Sequence, residues 1–240
     1  PERFTPSDSE PVSPPDVPGS SDIAGYLMVV EHPPVVTLGK RSDTSHLINR
    51  KKLAEHGVQI FEIDRGGEAT FHAPGQLVLY PVLRLRDYGL GVVDVVRGLA
   101  AAISDFCADL GVSAGYDADD PGVWTGEDSE DPSRRKLASV GMRVQRGVST
   151  HGAALNLVNT TEPFSWIRAC GRENAPMASL ASLVDDQHRR DDLLKPISVA
   201  RSLYPAISEL TGADLVEVRV ALPDRKEWVE ETPVDSLTQT

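Results

Sequence analysis

The chain has 240 residues, enough for one large domain or two small ones with a sizeable core. Its 36 acidic and 24 basic residues give a net charge of −12, which argues against nucleic acid as a partner. No apolar run approaches the roughly 20 residues that span a bilayer, so we expect no membrane partner either.

The first half of the chain alternates short apolar segments with polar loops. Residues 1–22 are rich in proline and serine and are predicted to form a flexible tail. Residues 39–41 form a cationic loop, and a short helix is predicted within residues 46–55. The strand-like segments of this half are residues 23–30, 35–38, 58–63 and 77–83.

Two segments have the 3.6-residue apolar period of a helix. Residues 92–110 give the clearer pattern, and Gly111 is a suitable stop. Cys107 lies on the apolar stripe, so it is predicted to be a core residue. Residues 194–211 form the second predicted helix, with Pro196 near its first turn.

Alternating runs at residues 137–144 and 148–157 predict a hairpin, because the three residues between them include a glycine. Before the hairpin, Trp124 is expected to pack on the sheet and residues 126–135 to form an exposed acidic loop. The remaining predictions are an extended piece at 164–170, a short helix at 180–184, a last strand at 215–222 and a disordered acidic tail at 223–240.

Strands occur early, in the middle and late, with helices between them. This order favours one layered α/β (α+β) domain over residues 23–222, flanked by the tails 1–22 and 223–240.

The stretch at residues 65–83 combines a glycine-punctuated polar half with a strand-like half, separated by a turn at Pro74-Gly75. Flexible backbone and a few polar side chains at a sheet edge are typical of a small-ligand site. We expect this loop to form one wall of a binding pocket.

Two residues are candidates for nucleophile and base. Cys170 precedes a glycine, which allows backbone N–H groups to point toward the sulfur; the alternative is a buried structural cysteine. Lys136 starts a strand of small and apolar residues, where desolvation would let the amine act as a base. The alternative is an exposed basic cluster that Lys136 forms with Arg134 and Arg135.

His72 and His151 have the most glycine-rich surroundings, and either is a candidate general base, ligand-positioning donor or buried imidazole. The spacing of these histidines does not indicate a metal site. The two cysteines, 63 positions apart, suit neither a zinc site nor a disulfide framework, and fit a reducing cytoplasm.

The order of five motifs resembles the lipoyl(octanoyl) transferase family over roughly residues 25–185, and the combination is far more specific than any single motif. In chain order the motifs are Glu31-His32-Pro33-Pro34-Val35-Val36-Thr37-Leu38-Gly39, Arg65-Gly66-Gly67-x-x-Thr70-x-His72-x-Pro74-Gly75-Gln76-x-x-x-Tyr80-Pro81, Arg135-Lys136-Leu137-Ala138-Ser139-Val140-Gly141, His151-Gly152-x-Ala154-Leu155-Asn156, and Ala169-Cys170-Gly171 with Ser179-Leu180.

The resemblance implies a mixed sheet with packed helices, as in biotin and lipoate protein ligases. It implies transfer of an octanoyl group, with Cys170 as acyl-thioester nucleophile and Lys136 as acid/base. No cofactor and no metal are implied. The implied walls of the acyl site are Arg65, Gly66, Gly67, Glu68, Ala69, Thr70, Phe71, His72, Ser139, Val140, Gly141, Gly152, Ala153 and Ala154.

The implied partners are octanoyl-acyl carrier protein as donor, and lipoyl domains of 2-oxoacid dehydrogenase complexes or the glycine cleavage H protein as acceptors. Acyl carrier proteins are acidic, so an acidic chain needs a local basic patch to bind one. The candidates for that patch are Lys40, Arg41, Arg134, Arg135, Arg143 and Arg146.

Three departures from the family pattern bear on activity. Ala73 stands where the family has glycine and would be strained at positive φ, Ala178 replaces a threonine, and the proline-serine tail stands in place of an initial strand and helix. The alternatives are an ATP-dependent lipoate or biotin ligase, a non-catalytic acyl- or protein-binding module, and a cysteine hydrolase that uses His151.

Overall fold

A computed structural model describes residues 25–126, 131–169, 171–173, 175–184 and 194–217. All described helices and strands belong to one unit that contains Ala24–Leu215. The predicted tails at 1–22 and 223–240 lie outside the described residues, so the domain boundaries stay a prediction.

The larger of the two sheets has six strands in the order β1-β5-β9-β8-β7-β6, and all neighbours are antiparallel. A continuous antiparallel sheet lets one face pack on helices while the other stays open to a ligand. In chain order its strands are β1 (Gly25–Val30), β5 (Gln76–Leu83), β6 (Ala114–Asp117), β7 (Gly122–Thr125), β8 (Lys136–Gln145) and β9 (Val148–Asn156).

The smaller sheet has three strands in the order β3-β2-β4, where β2 (Val35–Leu38) pairs parallel with β3 (Gln59–Glu62) and antiparallel with β4 (Thr70–His72). Helix α1 (Arg50–Glu55) lies between β2 and β3 in sequence. It begins later than predicted because Asn49 caps it, accepting a hydrogen bond from the Lys52 N–H at 3.0 Å.

Helices α2 (Val92–Asp109) and α3 (Pro196–Thr211) pack on each other and on the larger sheet. The predicted period is confirmed, because α2 buries Val95, Leu99 and Ile103 on one stripe. Cys107 on the same stripe is fully buried, and burial raises the pKa of its thiol to about 12. This cysteine is a core residue, as predicted.

A second core cluster, under the smaller sheet, contains Phe71 and Phe164 in an edge-to-face pair with centroids 5.7 Å apart. The extended piece predicted over residues 164–170 is wrong at its start, since Glu162–Trp166 is a 3-10 helix. Pro163 at its first turn favours helical φ, and the Ser165 hydroxyl donates to the Glu162 carbonyl at 2.7 Å.

The predicted hairpin is β8–β9, but its link has two residues rather than three, because Gln145 pairs with Val148. Arg146 and Gly147 have φ values of 53° and 81°, which matches a primed turn suited to the twist of the strands.

Three further predictions agree with the structure only in part or lie partly outside the described residues. The short helix predicted at 180–184 is a 3-10 turn, Leu180–Ser182. Residues 215–217 of the predicted last strand have no regular structure, and residues 218–222 are not among the described residues. In the loop predicted over 126–135, residues 127–130 are not among the described residues. Arg134 of this loop is mostly buried rather than exposed, and its guanidinium stacks 4.4 Å from the centroid of the buried Trp124 ring.

Candidate active site

A cavity of about 670 Å³ opens beside the two sheets. Its walls come from the loop between β3 and β4, strands β4, β5, β8 and β9, the start of α2 and the β6–β7 turn. Every predicted wall residue except Phe71 lines this cavity, and so does Lys136. Thr70 and His72 face the cavity while Phe71 lies in the second core cluster, because side chains alternate along β4.

Small residues on paired strands form one side of the cavity. Gly141 on β8 pairs with Gly152 on β9. A Cβ on Gly152 would overlap the Leu79 carbonyl oxygen, and one on Gly141 would lie 2.9 Å from the Gly66 carbonyl oxygen. Both glycines are therefore dictated by the close approach of neighbouring backbone.

The Arg65 side chain is buried and joins the loop between β3 and β4 to strand β2. Its guanidinium donates to the Thr37 carbonyl at 2.8 Å and to the Thr37 hydroxyl at 3.0 Å. The backbone N–H groups of Lys40 and Arg41 donate to the carbonyls of Arg65 and Gly67. The exposed cationic loop is thus fixed against the cavity wall, and both of its cationic residues line the cavity.

His72 is buried in a hydrogen-bonded chain of side chains. Its Nδ1 donates to Gln76 Oε1 at 2.7 Å, and Gln76 Nε2 donates to Asn156 Oδ1 at 2.8 Å. Burial lowers the pKa of His72 from 6.5 to about 4, so the ring is neutral near pH 7. A neutral ring fixed by Gln76 suits a positioning residue better than a general base.

His151 has a φ of 61°, one of two positive values among the non-glycine residues described. Its Nε2 donates to Asp64 Oδ1 at 3.0 Å, and Asp64 also forms an ion pair with Arg143. Burial, then the charges of Arg65 and Arg143, lower the pKa of His151. Left-handed backbone at a side chain that lines a cavity is typical of a functional site.

Lys136 is one of the most deeply buried side chains in the described part of the chain, with 1% of its surface exposed. This contradicts the alternative in which it belongs to an exposed basic cluster. Its amine donates to Asp120 Oδ1 at 2.8 Å and lies 5.0 Å from the centroid of the Trp124 ring. The pairing of β7 with β8 shifts register between the Val123–Ala138 and Trp124–Lys136 pairs, and such bulges re-aim side chains near active sites.

Asp120 is the site residue that sequence reasoning missed. It stands in a run of acidic residues between β6 and β7, where nothing in the local pattern distinguishes it from its neighbours. Only the pairing of β7 with β8 brings this carboxylate, 16 positions earlier in the chain, to the Lys136 amine.

Cys170 lies outside the described residues, but the backbone on both sides of it is described. Ala169 forms an isolated bridge with Ala69, and the Arg172 N–H donates to the Ala169 carbonyl at 2.9 Å. Gly171 has a φ of 72°, and a Cβ there would overlap the Glu68 carboxylate. Glu68, Ala69 and Arg172 all line the cavity.

The two substituted alanines are accommodated by the fold. Ala73 is buried in the second core cluster and has no positive φ, so the strain expected there is absent. Ala178 is also buried, and its N–H donates to the Lys136 carbonyl at 3.0 Å.

Within the described ranges, no cluster of three or more histidine, cysteine, aspartate or glutamate side chains could hold a metal ion. Among the same residues no helix has both the length and the apolar character needed to cross a membrane.

The fold and the sequence together define the class of this protein. The family model described as lipoyl protein ligase A/B catalytic domain matches residues 18–200. Lipoate-protein ligase A bound with ATP shares the fold with a TM-score of 0.62 at 16% identity, over 82% of this chain and 76% of that one. The bipartite lipoate protein ligase of Thermoplasma acidophilum, described with its E2 lipoyl domain, gives a TM-score of 0.56 at 16% identity, over 82% and 75%.

Closer relatives identify the particular activity. The octanoyltransferase of Desulfotalea psychrophila is 39% identical over 187 residues, which are 78% of this chain and 79% of that protein. The octanoyltransferase of Corynebacterium efficiens is 37% identical over 201 residues, 83% of this chain and 73% of that protein. The chain therefore belongs to the octanoyltransferases of the lipoyl protein ligase A/B family, and the predicted fold and acyltransferase activity are confirmed.

Proposed function

We propose that the enzyme moves an octanoyl group from octanoyl-acyl carrier protein to a lysine of a lipoyl domain, in protein lipoylation, with Cys170 carrying the group as a thioester. The acceptors are the lipoyl domains of 2-oxoacid dehydrogenase complexes or the glycine cleavage H protein. One observation carries the proposal: a buried lysine amine lines the same cavity as residues close to Cys170 in sequence.

In the first step the Cys170 thiol gives its proton to the Lys136 amine, and the thiolate attacks the donor's thioester carbonyl carbon. A carbon–sulfur bond forms to Cys170, and the carbon–sulfur bond to the donor breaks. Lys136 returns the proton to the departing thiolate. The exchange of one thioester for another is nearly isoenergetic, so it needs no ATP.

In the second step the neutral amine of the acceptor lysine attacks the Cys170 thioester. A carbon–nitrogen bond forms, the bond to Cys170 breaks, and the proton lost by the amine passes to Lys136, which returns it to the Cys170 thiolate. Backbone N–H groups near Gly141 or Gly171 are candidates to bind the oxyanion of each tetrahedral intermediate. The residues beside Cys170 would supply donors that are fixed before the reaction begins.

The shape and lining of the cavity fit an acyl chain. Its volume lies within the roughly 300–1,000 Å³ of small-molecule sites. Val78, Val140 and Met142 give it an apolar side, while Gly141 and Gly152 keep the space between strands clear. His72 is proposed to position the acyl group, and the remaining predicted wall residues except Phe71 to surround it.

Donor docking is assigned to Lys40 and Arg41, which are exposed and line the cavity. Arg134 is removed from the predicted patch, because its guanidinium donates to Asp117 at 2.5 Å and only 12% of its side chain is exposed. Reversing its charge would disturb the fold. Arg135 and Arg143 are also half-buried, whereas Arg146 is exposed at the hairpin end.

Docking is tested with Lys40→Glu plus Arg41→Glu, which should lower the association rate of the acidic carrier, most strongly at low salt. The matched control is Lys51→Glu plus Arg86→Glu, which makes the same charge change at exposed positions away from the cavity. Equal association rates for the two double variants would contradict this assignment.

The central test is intact-mass analysis after incubation with octanoyl-acyl carrier protein. The wild type should gain one octanoyl group that hydroxylamine removes, and Cys170→Ala should gain none. Cys107→Ala is the matched control and should acylate normally, because the Cys107 thiol is fully buried. Carrier binding without an adduct would favour a non-catalytic module, and release of free octanoate without an acceptor would favour a hydrolase.

The ATP-dependent alternative has one observation in its favour, the shared fold with a ligase bound to ATP. Incubation with free octanoate, ATP and an apo-lipoyl domain distinguishes the two. We expect no modification of the lipoyl domain under these conditions, and modification when octanoyl-carrier replaces octanoate and ATP. A cytoplasmic location is part of the same proposal, in line with two widely spaced cysteines.

A further inference from the structure

We propose that Asp120 forms a relay with Lys136, as the positioning residue that holds the Lys136 amine and stabilises its ammonium form. The inference rests on the proposed function, in which Lys136 exchanges protons with Cys170. It extends that function, because a nucleophile and a base are usually completed by a group that orients the base.

The contact between the two side chains is short and enclosed. Lys136 Nζ donates to Asp120 Oδ1 at 2.8 Å, and the exposed fractions of the two side chains are 2% and 12%. Hydrogen bonds between charged groups are stronger than neutral ones, and more so away from water. The carboxylate therefore favours an amine that has just received a proton.

Asp120 is held in place by contacts independent of Lys136. The carboxylate of Asp117 accepts hydrogen bonds from the backbone N–H groups of Asp119 at 2.8 Å and Asp120 at 3.2 Å. The indole N–H of Trp124 donates to the Asp120 carbonyl at 2.9 Å. Because the turn fixes its backbone, the carboxylate is preorganised to receive the amine.

The Lys136 side chain occupies space that is free because Gly122 has no side chain. A Cβ on Gly122 would overlap Lys136 Cε and lie 3.1 Å from Nζ. The Lys136 N–H donates to the Pro176 carbonyl at 2.7 Å, and its carbonyl accepts from the Ala178 N–H at 3.0 Å. The segment after Cys170 thus fixes the backbone of the residue that bears the amine.

The second oxygen of Asp120 faces the side chain of Arg172. Arg172 Nη2 lies 3.3 Å from Asp120 Oδ2, and the Arg172 N–H closes the turn onto Ala169. One carboxylate therefore contacts both the base and Arg172, a residue two positions after Cys170 in sequence. When the thiol proton moves to Nζ, the ammonium forms against this carboxylate, which itself takes up no proton.

The test is single-turnover acylation by octanoyl-acyl carrier protein at several donor concentrations. Asp120→Asn should lower the rate constant about 10- to 100-fold, the range for losing a hydrogen bond to a charged group, and leave the half-saturating donor concentration unchanged. Asp120→Glu keeps the carboxylate and should recover a large part of the loss. Asp105→Asn, which removes the same charge from the exposed face of α2, should match the wild type.

A double-variant comparison separates action through Lys136 from a general structural effect. In a Lys136→Met background, Asp120→Asn should change the residual rate by less than about twofold, because the group through which it acts is gone. Equal rates for Asp120→Asn and wild type would overturn the relay, and so would equal losses in Asp120→Asn and Asp120→Glu. Either result leaves the proposed function intact, whereas absence of a wild-type adduct refutes that function itself.

Discussion

The two sheets bury their residues in different ways. The face of the six-stranded sheet under α2 and α3 is apolar, with Leu77, Leu137 and Leu155 in one core cluster. The three-stranded sheet is smaller, and buried polar residues such as Thr37 and His72 stand beside its apolar ones. An apolar face stabilises the chain through burial, whereas the buried polar residues of the small sheet also need hydrogen-bond partners.

This difference explains where the cavity lies. On the side of the three-stranded sheet, the cavity wall contains polar side chains held by hydrogen bonds, such as Arg65 and His72. On the side of the six-stranded sheet, the wall contains glycines at which neighbouring backbone approaches closely. The larger sheet also has buried polar residues, among them Gln76, Asn156 and Lys136, and the Lys136 amine has its own carboxylate. The buried polar side chains of Arg65, His72 and Lys136 each have a hydrogen-bond partner on another element, Thr37, Gln76 and Asp120 respectively.

The largest expected effect concerns acid stability on the small-sheet side. The pKa of His72 is about 4 in the folded protein against 6.5 for an ordinary histidine, because of burial. Between these values the unfolded chain binds the proton more readily, so lowering the pH favours unfolding. We expect His72 to contribute a loss of about 3 kcal/mol in unfolding free energy between pH 6.5 and pH 4.

Urea denaturation of wild type and His72→Gln across this pH range measures that contribution. His32 and His151, whose pKa values burial also lowers, remain in both proteins, so the difference between the two pH slopes belongs to His72. Identical slopes would mean that a buried neutral histidine does not make the small sheet acid-sensitive.

A smaller effect is expected on the six-stranded side. Gly152→Ala should lower the unfolding free energy by about 2 kcal/mol, because the added methyl overlaps the Leu79 carbonyl of the adjacent strand. Gly115→Ala on β6 is the matched control, since its Cβ would meet nothing within 4 Å. Similar denaturation midpoints for the two variants would show that the strands can move apart, and that close packing does not dictate this glycine.

The smallest expected effect concerns Ala73, which directly follows strand β4 of the smaller sheet. Ala73→Gly restores the glycine of the family pattern, and it should destabilise the protein by about 1 kcal/mol through a lost buried methyl and a more flexible unfolded chain. The acylation rate should stay at the wild-type level, because Ala73 belongs to the core and does not line the cavity. A faster reaction in this variant would show that alanine does impair the site.

Local pattern predicted the elements that repeat regularly. The stripe of α2, the β8–β9 hairpin and the placement of Cys107 follow from periods of 3.6 and 2 residues. The pattern failed at Glu162–Trp166, where one proline and a hydroxyl-to-carbonyl hydrogen bond favour a 3-10 helix over an extended chain. The family resemblance, by contrast, assigned Phe71 to the cavity, because a motif written in sequence order does not distinguish the two faces of β4.

The order of motifs by itself determined the family and the acyltransferase activity, and it identified every predicted wall residue of the cavity correctly except Phe71. Tertiary structure alone decided that Lys136 is buried, that Arg134 is unavailable for docking, that Ala73 is unstrained and that Asp120 meets the amine. The physical reason is that burial and charge pairing depend on which strands become neighbours. An acidic residue in an acidic loop has no local feature that distinguishes it until β7 pairs with β8 and brings its carboxylate to the lysine.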